Sequence, residues 1–187
     1  MRTRSRTVGL LGAVLALTIS LSGCAANGVV DLSNDTPGMD HGQHTMSIFD
    51  KQSFALAMIP HHEQAITMSE LAKANTTNPK VLEIAEQISS EQSAEIEKMT
   101  PWLEGEAVDY NMLMEGMITD SLLEDLANAK GAEFDKLYVE LMIIHHDGAI
   151  SMATVGAETS DSELVELSKE IIRVQTLEIE SLREISN

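Results

Sequence analysis

Apolar residues recur every three or four positions along most of the chain from Ile48 onward, which is the periodicity of amphipathic helices. No stretch shows the strict alternation of apolar and polar residues that a half-buried strand requires. The pattern therefore predicts four long helices, with ends placed to within about 2–4 residues. These helices span about residues 48–74, 79–100, 133–157 and 161–185.

Residues that commonly begin or end helices support these limits. Asn78 stands before a proline, which indicates an N-cap followed by proline at the first helical position. Ser160 begins a capping-box pattern ahead of the last helix. Thr119 begins a shorter connecting helix, about 119–130, which is predicted to end at Gly131.

The chain also contains an internal repeat. Residues 54–68 match residues 138–152 at seven of fifteen positions with a constant offset of 84, and residues 88–97 match 171–180 at five of ten positions with an offset of 83. The change of offset falls in a loop, so each repeat is a helical hairpin. One hairpin cannot bury its own apolar face, whereas two packed together can. The prediction is an all-α four-helix bundle at 48–187, with repeats at about 48–104 and 133–187.

Each repeat carries a His-His pair with methionine three residues before and seven residues after its first histidine. At about 100° per residue, all of these side chains fall on one core-facing arc of their helix. Burying imidazoles is costly unless each finds a partner. One interpretation is a set of satisfied polar groups that fixes packing register, and the other, favoured by the duplication, is metal binding. The predicted ligands are His61, His62, His145, His146, Met58, Met68, Met142 and Met152.

The helices that pair with the histidine helices have polar residues at core spacing. Such residues are expected to orient imidazoles through hydrogen bonds, as groups behind metal ligands commonly do. They are Gln92, Glu95, Gln175 and Glu178.

Methionine is abundant, with 11 residues, although aromatic residues make up only 3% of the chain. Thioether sulfur selects monovalent copper or silver over zinc, calcium and magnesium. The cofactor prediction is therefore copper, with Cu(I) favoured and Ag(I) as an alternative. Because imidazole binds metal when deprotonated, core affinity is expected to fall as the pH drops through about 6. Two further clusters are Met39, His41, His44 and Met46, predicted to capture ions at lower affinity, and Met112, Met114 and Met117.

The first 23 residues resemble a bacterial export signal, with three arginines before an apolar stretch too short to span a membrane comfortably. The segment ending at Cys24, the only cysteine, resembles the lipobox of bacterial lipoproteins. Residues 24–47 are rich in small and polar residues and predict a flexible tether. The predicted location is the cell envelope, anchored by lipid at Cys24 outside the cytoplasmic membrane, or facing the periplasm in a diderm host.

Acidic residues dominate the charge of the protein. The whole chain has a formal net charge of −18, and removal of residues 1–23 would make it −21. Such a surface repels nucleic acid and anionic headgroups, so contact with the membrane is expected only through the lipid. The expected partners are a metal ion and the membrane, while a homo-oligomer and an envelope copper-handling protein are left open.

Several enzyme classes lack their motifs in this sequence. The histidine pairs do not form the His-Glu-x-x-His of zinc proteases, and no glutamate stands three residues before a histidine as in di-iron bundles. No phosphate loop or serine nucleophile elbow occurs. The expectation is a non-catalytic protein, with metal-dependent redox activity left open. The alternative is a structural or interaction lipoprotein whose polar core fixes the fold without metal.

At these motifs the sequence resembles the bacterial family called domain of unknown function 305, over about residues 48–185. The matching pieces are Met58-Ile-Pro-His-His-x-x-Ala-Ile-x-Met68, Gln92-x-x-Glu95-Ile96, Gly131-x-x-Phe134-Asp135 and Met142-Ile-x-His-His-x-Gly-Ala-Ile-x-Met152. The resemblance implies a ferritin-like four-helix bundle in a secreted or envelope protein, with some members linked to copper binding and tolerance. Two departures are Asp50, one residue further from its histidines than Asp135, and Pro101, which should kink or end the second helix.

Overall fold

The computed structural model describes residues 50–109 and 114–186. Within these ranges the chain forms five α-helices and a short 3-10 turn and has no β-strand, which confirms the all-α prediction. The elements are α1 (Lys51–Asn75), α2 (Pro79–Met99), the 3-10 turn Thr100–Leu103, α3 (Asp120–Asn128), α4 (Ala132–Gly156) and α5 (Ser162–Ile185). The predicted signal, lipidation site and tether, 1–47, lie outside the described residues.

The four long helices form two hairpins that pack together. α1 packs on α2 and α4 packs on α5, while α1 also contacts α4 and α2 contacts α5. The short α3 contacts α1 and α4. This arrangement is the predicted bundle of two repeated hairpins, in which each hairpin buries the apolar face of the other. None of the described helices is long and apolar enough to cross a membrane.

Local capping chemistry explains several of the helix ends. The side chain of Asn78 accepts from the Lys80 amide at the start of α2, and that of Thr119 accepts from Leu122 at the start of α3, as predicted. α2 stops at Met99 and Pro101 falls in the 3-10 turn that follows, which confirms the expected interruption.

Asp50 has a clear structural role. It is the N-cap of α1, where its carboxylate accepts from the Ser53 amide. The Ser53 hydroxyl in turn accepts from the Asp50 amide, which completes a capping box.

The ends of α3 and α5 fall within the predicted margin of about 2–4 residues, but two residues predicted to set helix ends do not do so. Ser160 is not the cap of α5, because the carboxylate of the next residue, Asp161, accepts from the amides of Glu163 and Leu164. Gly131 does not end α3, which already stops at Asn128. Gly131 has a φ of 56° and is instead the residue from which α4 begins, with its amide bonded to the Asn75 carbonyl at 2.8 Å.

The buried core consists of two apolar clusters with polar residues between them along each long helix. The first apolar cluster contains Phe54, Ala55, Met58, Ile59, Met99, Ala149, Ala153, Leu164, Leu167 and Ile171. The second apolar cluster includes Ala65, Met68, Ala72, Val81, Ile84, Ala85, Ile88, Phe134, Tyr138, Met142 and Leu182. α1 runs from the first cluster to the second, and α4 runs from the second to the first. The two histidine helices are therefore antiparallel, as an approximate two-fold axis between the repeats requires.

The cap of α5 gives a direct test of the structure against the sequence pattern. Replacing Asp161 with alanine is expected to lower the free energy of unfolding by about 1 kcal/mol, since two amides lose their acceptor. The matched change Ser160→Ala should have an effect of less than about 0.5 kcal/mol, because Ser160 is exposed. Urea unfolding measures both. A larger loss for Ser160→Ala than for Asp161→Ala would show that Ser160 is the cap, as the sequence predicts. The variant Asp161→Asn should retain most of the stability, because asparagine also accepts from helix amides.

Candidate functional site

Between the two apolar clusters, every long helix contributes two polar side chains to the interior. We call this set the polar layer. Its histidines are fully buried, and its glutamates and glutamines are at most 5% exposed. The members are His61 and His62 from α1, Gln92 and Glu95 from α2, His145 and His146 from α4, and Gln175 and Glu178 from α5. The four histidines thus face the core, as predicted.

The two histidine helices meet at one pair of rings. The imidazoles of His61 and His145 have their centroids 3.8 Å apart, with 38° between the ring planes. Within each pair the rings are further apart, 6.4 Å between His61 and His62 and 6.3 Å between His145 and His146. Since His61 and His145 occupy equivalent positions in the repeats, the approximate two-fold axis passes close to their contact.

The outer histidine of each pair is held by a glutamate from the partner helix. His62 Nε2 lies 2.7 Å from Glu95 Oε2, and His146 Nε2 lies 2.9 Å from Glu178 Oε2. This is the imidazole contact expected for the glutamates. The glutamines depart from that expectation, because neither the oxygen nor the nitrogen of either side-chain amide has a hydrogen-bond partner among the described residues.

Burial sets the protonation of the layer. Desolvation lowers the pKa of His61 and of His146 to about 3, and lowers the pKa of His145 well below its usual value. Desolvation, assisted by the negative charge of Glu95, raises the pKa of Glu178 to about 8. At neutral pH these three imidazoles are therefore neutral, and Glu178 is mostly a protonated carboxylic acid against neutral His146.

The predicted methionine ligands flank the polar layer on both sides. Met58 belongs to the first apolar cluster, and Met152 packs against it from a partly buried position. Met68 and Met142 belong to the second. Because Met58 and Met142 each precede a histidine by three residues on the same helix, their side chains lie on the same face as that histidine. The two repeats thus place equivalent thioethers on opposite sides of the layer.

The donors present suit a soft cation better than a hard one. Among residues 50–109 and 114–186, no three or more His, Cys, Asp or Glu side chains are arranged to hold a metal ion. Both ring nitrogens of His145 are buried without a hydrogen-bond partner, as are the Nδ1 atoms of the other three histidines. Imidazole nitrogen suits copper and zinc alike, whereas thioether sulfur is a soft donor that favours monovalent copper over calcium or magnesium.

Sequence reasoning missed the group that contacts His61. Its Nε2 atom donates to the backbone carbonyl of Glu115, 3.1 Å away, in the connection between the hairpins. A backbone acceptor has no residue-type signature, so only the neighbouring glycines and Gln64 could have indicated it. The tether residues Met39, His41, His44 and Met46, the linker residue Met112 and the lipidation residue Cys24 lie outside the described residues.

Fold and site together define an all-helical bundle of two repeated hairpins around a buried layer of histidines. The profile of one family, domain of unknown function DUF305, matches residues 51–186. The chain belongs to the DUF305 family. A comparison with curated protein sequences finds no match.

Solved structures agree with this assignment. A DUF305 protein from Streptomyces coelicolor, considered to be secreted, is 26% identical, with a TM-score of 0.67 over 72% of this chain and 90% of that one. A DUF305 fragment from Deinococcus radiodurans has the same fold at 22% identity and a TM-score of 0.68, over 72% and 93% of the two chains. CopM in its Cu(I)-bound form is 31% identical, with a TM-score of 0.62 over 73% of this chain and 94% of that one. CopM has also been solved with Cu(II) and with silver.

The lowered histidine pKa values predict how the metal-free protein responds to acid. His61, His145 and His146 stay neutral in the fold, whereas the unfolded chain takes up protons at these positions below about pH 6.5. Each histidine therefore contributes stability that is present above about pH 6.5 and is lost as the pH falls, at up to about 1.4 kcal/mol per pH unit. Glu178 acts in the opposite sense, because its raised pKa gives stability at low pH that is lost as the pH rises through about 8.

Since three histidines outweigh one glutamate, the free energy of unfolding should decrease as the pH is lowered from 7 to about 5.5. Urea unfolding at several pH values measures this slope, and His145→Gln should make it shallower. A stability that stays constant or rises over this range would contradict the neutral state of the buried imidazoles.

Proposed function

We propose that this protein binds monovalent copper, with silver as a chemical substitute, and stores, sequesters or passes on the ion outside the cytoplasm. The observation that carries the proposal is the duplicated set of buried imidazoles flanked by methionines, in which the ring nitrogens of His145 have no hydrogen-bond partner among the described residues. His61, His62, His145 and His146 would supply nitrogen, and Met58, Met68, Met142 and Met152 would supply sulfur. The copper-bound and silver-bound forms of CopM, at about 30% identity, support the assignment.

The neutral state of the histidines prepares them for this role. A protonated imidazole has no lone pair to offer, so an ordinary histidine must lose a proton before it binds metal. Burial has already removed that proton from His61 and His146, whose pKa values are about 3. An ion that enters the layer thus displaces no proton from these rings at neutral pH. Glu95 and Glu178 contact the Nε2 atoms of the outer rings and would fix the orientation of those rings around an ion.

The partners missing from the layer favour binding over a purely structural role. A polar layer that only fixes packing register is expected to have its hydrogen bonds made internally, because each unmet buried group destabilises the fold. Here the amides of Gln92 and Gln175 and the ring of His145 have no partner among the described residues. We infer a non-catalytic role, since the sequence supplies no nucleophile or general base in a known arrangement.

The pKa values revise the expected response of copper binding to acid. The sequence-based expectation was that core affinity falls through about pH 6. With folded-state pKa values near 3 for His61 and His146, protons compete for these rings only in strong acid. Core affinity should therefore be nearly constant between pH 7 and 5.5 while the bundle stays folded. Acid sensitivity near pH 6 is expected instead for the tether histidines, if they keep the ordinary pKa of about 6.5.

A pair of substitutions in the ring stack tests the site. Replacing both His61 and His145 with phenylalanine keeps two stacked aromatic rings but removes their nitrogens. Affinity for Cu(I), measured against a competing chelator, should fall by more than about tenfold, the size seen when even a supporting group of a metal site is lost. The matched control changes Met39, His41, His44 and Met46 to serine and should keep the tight binding at both pH 7 and pH 5.5.

Circular dichroism and the unfolding midpoint establish that the phenylalanine variant is folded. If that folded variant binds Cu(I) as tightly as the wild type, the core histidines are not ligands, and copper binding would have to be assigned to the tether residues.

Lipid anchorage is a separate part of the proposal. The sequence around Cys24 supports a lipoprotein, and the relative from Streptomyces coelicolor that is considered secreted supports a location outside the cytoplasm. Cys24→Ser should abolish acylation and move the protein from the membrane fraction to the soluble fraction. Mass spectrometry of the mature wild type measures the lipid directly. A mature protein without added lipid would refute the anchor and leave the copper proposal untouched.

A further inference from the structure

One short segment of the connection between the hairpins lies against the histidine pair. We call residues 114–118 the strap. The Met117 amide donates to the Met114 carbonyl at 3.2 Å, which closes a β-turn. Gly116 has a φ of 80°, which fits the third position of a type II turn and favours glycine there. The turn therefore has a methionine at each end.

Side chains from both histidine helices fasten the strap. The amide of Gln64 on α1 donates to the Ile118 carbonyl at 2.9 Å and accepts from the Ile118 amide at 2.7 Å. Ser151 on α4 donates to the Glu115 carboxylate at 2.8 Å. The strap is thus attached at its end and at its middle.

The strap backbone also lies directly on α4 at Gly148. A Cβ atom at Gly148 would be only 2.2 Å from the Glu115 carbonyl oxygen and 2.6 Å from Gly116 Cα. Any larger residue at this position would therefore push the strap away. Gly148 and Gln64 are equivalent positions of the two repeats, 84 residues apart. In one repeat the glutamine side chain holds the strap at Ile118, and in the other the glycine leaves room for the strap backbone.

The strap contacts the buried imidazoles where the Glu115 carbonyl accepts from His61 Nε2 at 3.1 Å. A neutral imidazole with its proton on Nε2 has its lone pair on Nδ1. While the strap is in place, His61 therefore cannot offer its Nε2 lone pair to an ion. His61 in turn stacks on His145, whose ring nitrogens have no hydrogen-bond partner among the described residues. Movement of the strap would release His61 Nε2 and uncover the ring pair from this side.

We propose that Met114 and Met117 form a capture site for a soft monovalent cation, from which the His61–His145 pair is loaded when the strap leaves His61. Both methionines are partly buried rather than enclosed. As the first and fourth residues of a β-turn, they have Cα atoms less than about 7 Å apart, and the proposal has both sulfurs bind one ion. Thioethers bind such an ion without losing a proton. The proposal rests on the proposed function, because it names the route to the same histidines.

Silver is the probe for the test, because it is soft and monovalent and does not change oxidation state. The test protein is the mature chain from residue 24 to 187 with Cys24→Ser and with the four tether ligands replaced by serine. Methyl-labelled methionine reports capture by NMR, and the ring signals of the histidines report loading. With less than one equivalent of silver, the Met114 and Met117 methyl signals should shift before the histidine signals do.

The double variant Met114→Leu with Met117→Leu should load the histidines at least about tenfold more slowly, with final affinity changed less than about twofold, since removal of a route alters rates and not equilibrium. The matched control, Met99→Leu, changes a buried methionine of the first apolar cluster and should load like the wild type. Loading of the double variant at the wild-type rate would overturn the proposal.

Loosening the strap should increase the rate at which silver loads the histidines. Gln64→Leu removes the clamp on Ile118, so hydrogen exchange of the Ile118 amide in the metal-free protein should rise, and silver should load faster. The control Gln87→Leu removes an exposed glutamine whose side chain donates to Glu91, away from the strap, and should change neither rate. Faster exchange without faster loading would show that the strap is not on the route.

The two proposals fail in different ways. If silver shifts the Met114 and Met117 methyl signals but never reaches the histidine rings of the wild type, the capture site stands and the proposed histidine site is wrong. If silver reaches the histidines while those methyl signals never respond, the capture site is wrong and the proposed function stands.

Discussion

Desolvation of four imidazoles is the constraint on which this bundle depends. The polar layer interrupts an otherwise apolar core, and its histidines have no access to water. Charged imidazolium would be very costly there, so desolvation lowers the pKa values of His61, His145 and His146 and keeps these rings neutral. Apolar clusters on both sides of the layer supply the packing that offsets this cost. A polar site of this kind requires long helices that extend well beyond it in both directions.

The same desolvation determines what the layer can bind. A hard divalent cation prefers several carboxylate oxygens, but only Glu95 and Glu178 are available, and the second is held largely protonated by burial. Neutral nitrogen and sulfur donors without competing protons suit a soft monovalent ion. The carboxylates contact the Nε2 atoms of the outer rings, so they would act on a bound ion through those rings. Fold stability and ligand chemistry thus have one physical cause.

The sequence predicted the features that depend on periodicity and repetition. Helix positions, the hairpin pairing and burial of the His-His faces follow from spacing alone, because the two repeats must cover each other. Features that depend on single hydrogen bonds were harder to predict. Asp161 and Ser160 are both good capping residues, and only backbone geometry decides between them. The predicted acid response differs between sequence and structure because the size of a pKa shift depends on the degree of burial, which residue types alone do not give.

Duplication makes the two hairpins alike, but one chain has only one connection between them, and this breaks the symmetry at the site. The connection can cover only one side of the His61–His145 stack, and it does so through the Glu115 carbonyl. Two equivalent positions of the repeats therefore had to diverge, with Gln64 as a clamp and Gly148 as open space. As a result, His61 donates to the backbone of the connection, whereas neither ring nitrogen of His145 is bonded to the part of the connection that the structure describes. Two residues at equivalent positions and with the same burial thus differ in their contact with the connection.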